Sequence, residues 1–320
     1  MQLEVNPYGY IPTEWLGILG IILFSLALIA EIVQIVMIRD LLPLVPLIGT
    51  VGEIVGWIGR LYSHSHVFSN NSFLTNFIAL CIAPVFYTAQ IYTTLQYLVR
   101  IYGPDFSWLS PKLYTIVFVG SDIISLIVQA IGGAIAGSAD QGSSTMKLGG
   151  NITLAGICFQ LLSVMCFFIF GLDFASRYRK HKPYRTTVVA GSPEASDLNP
   201  EPSKSRKVGY QTLFISTVLV LIRSIYRVIE LGDGWDGYVI SHEVYFAVFD
   251  FIPMFITALL LLGTVGPMLE VRRGAKRGDD SLVNANDTQF TYVSSVNSKE
   301  LSRNPSSNPM APTIDEEKQV

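Results

Sequence analysis

Seven long apolar stretches constrain the fold of this chain more than any other feature of its sequence. A bilayer core about 30 Å thick requires roughly 20 consecutive, mainly apolar residues of helix to cross it. Of the 320 residues, 50% are hydrophobic and 15% are charged, which is fewer charges than soluble domains carry. The pattern predicts an all-α polytopic membrane protein, a seven-helix transmembrane bundle over residues 15–266. The predicted spans are Trp15–Ile38, Leu41–Tyr62, Leu74–Arg100, Lys112–Gly137, Asn151–Phe174, Val208–Leu231 and Glu243–Gly266.

The distribution of lysine and arginine predicts the orientation of this bundle. Cytoplasmic loops of membrane proteins retain these residues. One face carries Arg60 and Lys147, whereas the loops and tail of the other face carry 18 of the 22 lysines and arginines. We therefore expect residues 1–14 to be a short extracellular N-terminus and the C-terminus to be cytosolic.

Two segments outside the spans are too polar to form a hydrophobic core. Residues 175–207 begin with a basic run and continue rich in Ser, Pro and Glu, and residues 267–320 are rich in Asn, Ser and Pro. They are predicted to be a disordered cytosolic loop and a disordered cytosolic tail. The basic edge of the loop either enforces the topology or also binds anionic lipids of the cytosolic leaflet.

Sequons and sorting signals give further expectations about location. Asn70 and Asn151 begin Asn-x-Ser/Thr triplets on the predicted external face and are glycosylation candidates. Because no endoplasmic-reticulum retrieval signal is found, the plasma membrane is the predicted location, with internal membranes as the alternative. A net charge of −3 gives no general attraction for nucleic acid, which excludes it as an expected partner.

Ionisable side chains within the spans indicate where function resides, since each costs at least about 2.5 kcal/mol at the bilayer centre. They recur at helical spacings of four and seven residues, so each set lies on one helix face. We predict that these faces point inward and line a polar cavity in the outer half of the bundle. The predicted substrate-binding or proton-coupling residues are Glu53, Arg60, Asp122, Gln129, Gln160, Arg223, Arg227, Glu230, Glu243 and Asp250.

Pairing among these residues has two interpretations. We expect the arginines to pair with Glu53, Glu230 and an acidic residue of the seventh span. Such ion pairs either only hold helices together or also serve a substrate. For the deeper residues Arg223, Asp122 and Asp250, where acids outnumber bases, we favour a substrate or proton role, because burial favours the neutral form of an unpaired acid.

Glycine and proline predict where the spans pack closely and where they bend. The second span carries four glycines, spaced three or four residues apart, between Gly49 and Gly59, which form a smooth ridge for close packing. Pro84 and Pro253 are expected to kink the third and seventh spans and to release carbonyls that a neighbour must satisfy. The glycines within Gly132–Gly137 are expected to loosen the outer end of the fourth span.

Sequence pieces in six of the spans resemble a known family when they are taken in order. They are Glu53-Ile-Val-Gly56-Trp57-Ile-Gly-Arg60, Ala83-Pro84-Val-Phe86, Ala89, Tyr92, Phe118, Asp122, Gln129, Gly132-Gly133, Gly156, Gln160, Arg223-Ser-Ile-Tyr226-Arg227-Val-Ile-Glu230, His242-Glu243, Asp250 and Pro253. From about Tyr8 to Glu270 the chain resembles the fungal lipid-translocating exporters, the RTA-like seven-span proteins. Trp57 stands where that family more often has tyrosine.

The resemblance implies a fungal membrane transporter with no catalytic residues, no cofactor and no bound metal. Members are associated with exporting or flipping amphiphilic lipids such as sphingoid long-chain bases, with resistance to toxic amphiphiles and drugs, and in one branch with porphyrin or haem traffic. A cationic single-chain amphiphile fits a cavity in which acids outnumber bases. No nucleotide-binding loop is present, so a gradient, a proton or facilitated flipping would drive the movement.

Two other function classes remain as alternatives. A seven-transmembrane receptor-like sensor of lipids or stress has the same topology, but the third span ends in Tyr97-Leu-Val-Arg100 rather than in Asp-Arg-Tyr. An intramembrane hydrolase is less favoured. It would need His64, His66 and His242 to hold Zn²⁺, and their spacing is not that of a metal-binding helix.

Overall fold

Seven membrane-spanning helices make up the part of the chain that the computed structural model describes, residues 10–39, 41, 43–67, 70–139, 142–180, 182–184, 204–233, 237–266, 268 and 269. This confirms the predicted all-α, seven-span fold class. The first six helices are α1 (Glu14–Ile38), α2 (Leu44–Ser65), α3 (Asn70–Tyr102), α4 (Pro111–Ser138), α5 (Ser144–Arg179) and α6 (Lys204–Gly232). The seventh span, Glu243–Thr264, comprises α7 (Glu243–Phe246), a π-helical turn (Ala247–Phe251), α8 (Ile252–Leu261) and a 3-10 turn (Leu262–Thr264).

The fifth span differs most from its predicted bounds. Its helix begins at Ser144 rather than at Asn151, because the Ser143 hydroxyl caps it by accepting a hydrogen bond from the Met146 amide at 3.2 Å. Asn151 therefore lies within α5, with an exposed side chain, and Asn70 is the first residue of α3. Glycosylation at either position stays a prediction.

Both ends of the predicted cytosolic loop are helical. The loop was expected over 175–207, but α5 continues to Arg179 and α6 begins at Lys204. Residues 185–203 lie outside the described residues, as do residues 1–9 and all of the predicted tail except 268 and 269. The disorder expected of these segments stays a prediction.

Burial separates the lipid-facing surface from the interior. Large apolar side chains such as Ile22, Ile29 and Ile127 are more than half exposed, as expected of residues that contact lipid. Glu53 and Asp122, in contrast, are 2% and 0% exposed. The ionisable faces of the spans point into the bundle, as their spacing predicts.

Glycines set the closest approaches between neighbouring helices. At Gly59, on the predicted ridge of α2, a Cβ atom would lie 3.0 Å from the backbone nitrogen of Asn76 on α3. At Gly132 on α4, a Cβ atom would lie 2.5 Å from the backbone nitrogen of Thr153 on α5. Gly132 therefore permits tight packing of α4 on α5. The sequence alone had suggested the opposite, a loosening of α4.

Adjacent glycines on α4 provide a matched test of this packing. Gly132→Ala is expected to destabilise the protein by about 1–3 kcal/mol, because the backbone of α5 must shift to admit the methyl group. Gly133→Ala should leave stability unchanged or raise it by up to about 1 kcal/mol, since nothing lies within 4 Å of a Cβ atom there and alanine has the higher helix propensity. Thermal unfolding of the detergent-solubilised variants measures both effects, and equal midpoints would show that the α4–α5 packing is not this close.

Candidate functional site

The proline of α3 positions an arginine at the centre of the bundle. Pro84 has no amide hydrogen, so the carbonyl of Leu80, four residues earlier, lacks its helical donor. Arg223 on α6 donates from Nη2 to that carbonyl. The guanidinium group supplies the partner that a buried carbonyl needs in a membrane, and it joins α6 to α3.

The π-helical turn carries the acid that this arginine contacts. The Ile252 amide donates to the Ala247 carbonyl, five residues back, so the turn holds one residue more than an α-helical turn. Pro253 follows directly, and the predicted bend of the seventh span takes this form. Asp250 lies within the turn, with its Oδ1 atom 2.6 Å from Nε of Arg223.

A second arginine extends the contact into a network on α6 and the seventh span. Arg227 forms a bidentate pair with Asp250, with Nη2 2.6 Å from Oδ2 and Nε 3.2 Å from Oδ1. Nη1 of Arg227 lies 3.1 Å from Oε2 of Glu230, whose Oε1 accepts a hydrogen bond from the Tyr226 hydroxyl at 2.8 Å. We call Tyr226 and the four residues Arg223, Arg227, Glu230 and Asp250 the central network, whose charged members are at most 7% exposed.

A separate ion pair lies between α2 and the start of the seventh span, at the end of the bundle that is predicted to face outward. Nη2 of Arg60 is 2.7 Å from Oε1 of Glu243 and donates to the Tyr10 hydroxyl at 2.7 Å. Glu243 also accepts hydrogen bonds from the amide and hydroxyl of Thr13, the amide at 3.0 Å from Oε1. We call Arg60, Glu243, Tyr10 and Thr13 the outer latch. Burial raises the pKa of the Tyr10 phenol, so this group stays neutral beside the arginine.

One aromatic ring lies between the two charged groups. The guanidinium of Arg60 stands 4.3 Å from the centroid of the Phe246 ring, and that of Arg227 stands 5.7 Å from it. Both distances are in the range of cation–π contacts. The outer latch and the central network therefore share a face of the seventh span.

Three buried carboxylates lie outside these ion pairs. One oxygen of each, Oε2 of Glu31, Oε1 of Glu53 and Oδ1 of Asp122, has no hydrogen-bond partner among the described residues. Asp122 uses its other oxygen to accept from the Thr88 hydroxyl at 2.6 Å, and Glu31 accepts from Thr50 at 2.9 Å. Glu53 lies close enough to the central network to interact electrostatically with its arginines.

The two glutamines predicted for the site form a contact between α4 and α5 instead. Nε2 of Gln129 donates to Oε1 of Gln160 at 2.9 Å and to the Ser125 hydroxyl at 2.7 Å. Within the described part of the chain, no hydrogen bond joins this pair to the arginines. The structure therefore brings together the predicted residues of α2, α6 and the seventh span, but it satisfies the glutamines separately.

Several contacting residues were missed by the sequence reasoning. Tyr226 had an available signal, since it precedes Glu230 by four residues and so lies on the same helix face. Tyr10 and Thr13 precede the first span, and nothing in their sequence context indicates that they fold back onto Glu243. Phe246 resembles any other apolar residue of a span.

Two of the three histidines expected of a hydrolase contact backbone carbonyls. Nδ1 of His64 lies 2.8 Å from the Pro12 carbonyl, and Nδ1 of His242 lies 2.8 Å from the Tyr238 carbonyl. Among the residues described, no group of three or more His, Cys, Asp and Glu is arranged to hold a metal ion.

Two isosteric variants separate paired from unpaired acids. Asp250→Asn is expected to destabilise the protein by about 3–5 kcal/mol, because it leaves two buried arginines without their shared counter-charge. Asp122→Asn should stay close to wild type, because Asp122 forms no ion pair among the described residues and interacts with neutral hydroxyls, those of Thr88 and Tyr92. Thermal unfolding in detergent checks both, and an Asp250→Asn variant as stable as wild type would contradict the assigned pairing.

The outer latch makes a separate prediction about the segment before α1. Glu243→Gln should weaken its contacts with Thr13 and Arg60, so that the Thr13 amide exchanges its hydrogen at least several-fold faster. Glu14→Gln is the control, since the Glu14 carboxylate is 63% exposed at the same end of the bundle. Hydrogen–deuterium exchange over residues 10–16 measures the difference, and equal rates in both variants would rule out the latch.

Comparison with known proteins places this arrangement in a family. Three proteins of Saccharomyces cerevisiae are similar. Sphingoid long-chain base transporter RSB1 (strain ATCC 204508 / S288c) is 36% identical over 229 residues, covering 65% of this chain and 60% of the relative. Protein RTM1 is 30% identical, covering 66% of this chain and 62% of the relative. Protein RTA1 (strain ATCC 204508 / S288c) is 29% identical, covering 69% and 64%.

The chain thus spans about 60% of the length of the curated relatives it matches first. No solved structure matches it. The family model described as RTA1 like protein matches residues 46–269, which include both the central network and the residues of α2 and the seventh span in the outer latch. The seven spans and this match confirm the resemblance expected from the sequence: the chain is an integral membrane protein and belongs to the RTA1-like family.

Proposed function

We propose that this protein moves a single-chain cationic amphiphile, such as a sphingoid long-chain base, from one leaflet of the membrane to the other. A relative that is 36% identical is named a sphingoid long-chain base transporter, which supports transport of an amphiphilic lipid. We propose the plasma membrane as the location and, from the predicted orientation, export as the direction. No catalytic step is part of the proposal.

One observation carries the choice of a cation. Each of the three buried arginines contacts at least one carboxylate, yet Glu31, Glu53 and Asp122 form no ion pair in the described part of the bundle. Each also keeps one carboxylate oxygen without a hydrogen-bond donor. An ammonium group provides the charge and the donors that these oxygens lack.

The position of Asp122 suits such a headgroup better than that of Asp250. Both oxygens of Asp250 are occupied by arginine nitrogens, at 2.6 Å. Asp122 interacts with two neutral hydroxyls, those of Thr88 and Tyr92, and its Oδ1 atom accepts no hydrogen bond among the described residues. In the proposed mechanism Asp122 accepts the amino group, and the central network holds the helices around it.

Access to this acid requires movement of the outer end. In the present conformation the charged side chains contact one another, and the polar cavity predicted for the outer half remains a proposal. Separating Arg60 from Glu243 would free the start of the seventh span, which already departs from α-helical geometry at its π-helical turn. Helices with such turns and prolines are suited to bending.

In the proposed mechanism, the exchange of a proton for the substrate supplies free energy for the movement. A buried acid that is neutral when empty and charged when an ammonium binds releases one proton for each substrate taken up. The proposed movement follows a proton gradient or the gradient of the substrate itself.

Reconstitution tests the proposal with two matched acid-to-amide variants. Purified protein in vesicles is expected to move a fluorescent sphingoid base between leaflets, and Asp122→Asn should slow this movement roughly tenfold, as expected for loss of one charge-assisted hydrogen bond. Asp173→Asn is the control, because Asp173 pairs with Arg177 at the end of the bundle opposite to the outer latch. The measurement is repeated with and without a pH gradient.

The outcomes separate the alternatives. Normal movement by a folded Asp122→Asn variant would remove Asp122 from the mechanism. No movement of sphingoid base by the wild-type protein under any gradient would contradict transport and favour the receptor-like sensor.

A further inference from the structure

A groove lies at the end of the bundle opposite to the outer latch. It has a volume of about 470 Å³ and lies between the last turns of α5 and the first turns of α6. Leu172 and Ala175 of α5 and Phe214 of α6 form its apolar wall. The Phe214 ring packs on that of Phe168 of α5, with centroids 5.1 Å apart, and this contact supports the apolar wall.

The rim of the groove is cationic. Arg179 and Lys180 line it, and both side chains are exposed. Neither forms an ion pair with a described carboxylate, whereas the neighbouring Arg177 is neutralised by Asp173 at 3.1 Å. The hydroxyl-bearing side chains of Ser176 and Tyr210 lie beside the two cations, and Tyr210 is close enough to Arg179 to interact with its charge.

The groove is continuous with the lipid-facing surface of α5. Leu172 is 40% exposed, and Ile169, one turn further into the span, is 58% exposed. An apolar chain leaving the groove would therefore run along α5 toward the membrane interior. The cationic rim lies at the end of the spans, the depth at which lipid phosphates lie.

We propose that this groove binds an anionic phospholipid, with its phosphate and acidic headgroup on Arg179 and Lys180 and one acyl chain against Leu172 and Phe214. Charge complementarity fixes this class of ligand. Two cations that have no counter-charge among the described residues attract an anionic headgroup and repel the ammonium of a sphingoid base. The groove is therefore separate from the proposed transport site, and the inference stands whether or not the protein transports lipid.

Titration of the full-length protein in detergent with phosphatidylserine or phosphatidylcholine, followed by native mass spectrometry, tests the site. The wild type is expected to bind phosphatidylserine in preference to phosphatidylcholine. The double variant Arg179→Gln/Lys180→Gln should weaken phosphatidylserine binding at least tenfold, since each cation near a membrane surface contributes on the order of a few-fold in affinity.

Two further variants make the test specific. Lys112→Gln/Lys182→Gln removes the same charge from exposed positions at the same end of the bundle, outside the groove lining, and should change binding less than twofold. Ser176→Trp fills the groove but keeps both cations, and it should weaken binding as strongly as the double variant. Ser176 is exposed, so the larger side chain is compatible with folding, and unfolding midpoints in phosphatidylcholine check this.

Each other outcome overturns the proposal. Equal weakening by both double variants would mean diffuse attraction to the whole basic face. Weakening by Arg179→Gln/Lys180→Gln without any effect of Ser176→Trp would mean that the lipid lies outside the groove. Equal binding of phosphatidylserine and phosphatidylcholine to the wild type would mean that the site does not select charge.

Discussion

The contact of Asp250 with two arginines is the interaction on which the rest of the bundle depends. Two guanidinium groups and a carboxylate are almost completely buried among apolar helices, where an isolated charge would be very unfavourable. Their close pairing offsets the free-energy cost of this burial and joins α6 to the seventh span. Through the Leu80 carbonyl, Arg223 adds α3 to the same contact. The positions of three spans therefore follow from one requirement, that no charge remain without a partner.

The same requirement divides the acids of the bundle into two groups. Glu230, Glu243 and Asp250 are held by arginines, and their geometry accounts for stability and for the meeting of helices. Asp122 and Glu53, although more deeply buried than these three, lack an ion pair in the described part of the chain. Placing an ionisable side chain within the membrane is unfavourable, and no ion pair among the described helices offsets this cost at Asp122. We therefore connect Asp122 with a ligand.

Much of the fold was accessible from the sequence because the bilayer imposes length and polarity rules on each span separately. Those rules identified all seven spans and the inward direction of Glu53 and Asp122. The partner of Arg60 was less accessible. Glu53 lies on the same face, seven residues away, but this spacing corresponds to about 10 Å along the axis and is too long for direct contact. The actual partner, Glu243, lies on another span, and helix order in the bundle decides this contact.

Irregular backbone was the other feature that residue patterns did not predict in detail. Pro253 indicated a bend in the seventh span, but not that the turn before it would be π-helical and would carry Asp250. The start of α5 was misplaced because hydropathy locates the membrane core, whereas the helix extends beyond it to the cap at Ser143. Hydropathy and helical extent are different quantities, and they diverge wherever a helix projects into water.

Pro84 makes the donor at position 223 necessary. Because Pro84 supplies no amide hydrogen, the Leu80 carbonyl has no helical donor, and a side chain too short to reach it from position 223 would leave this carbonyl without its donor in the bilayer. The two are joined by a hydrogen bond between groups 143 residues apart in the chain. The hydrogen bond lost within α3 therefore places a requirement on α6, where a long donor side chain must stand at position 223.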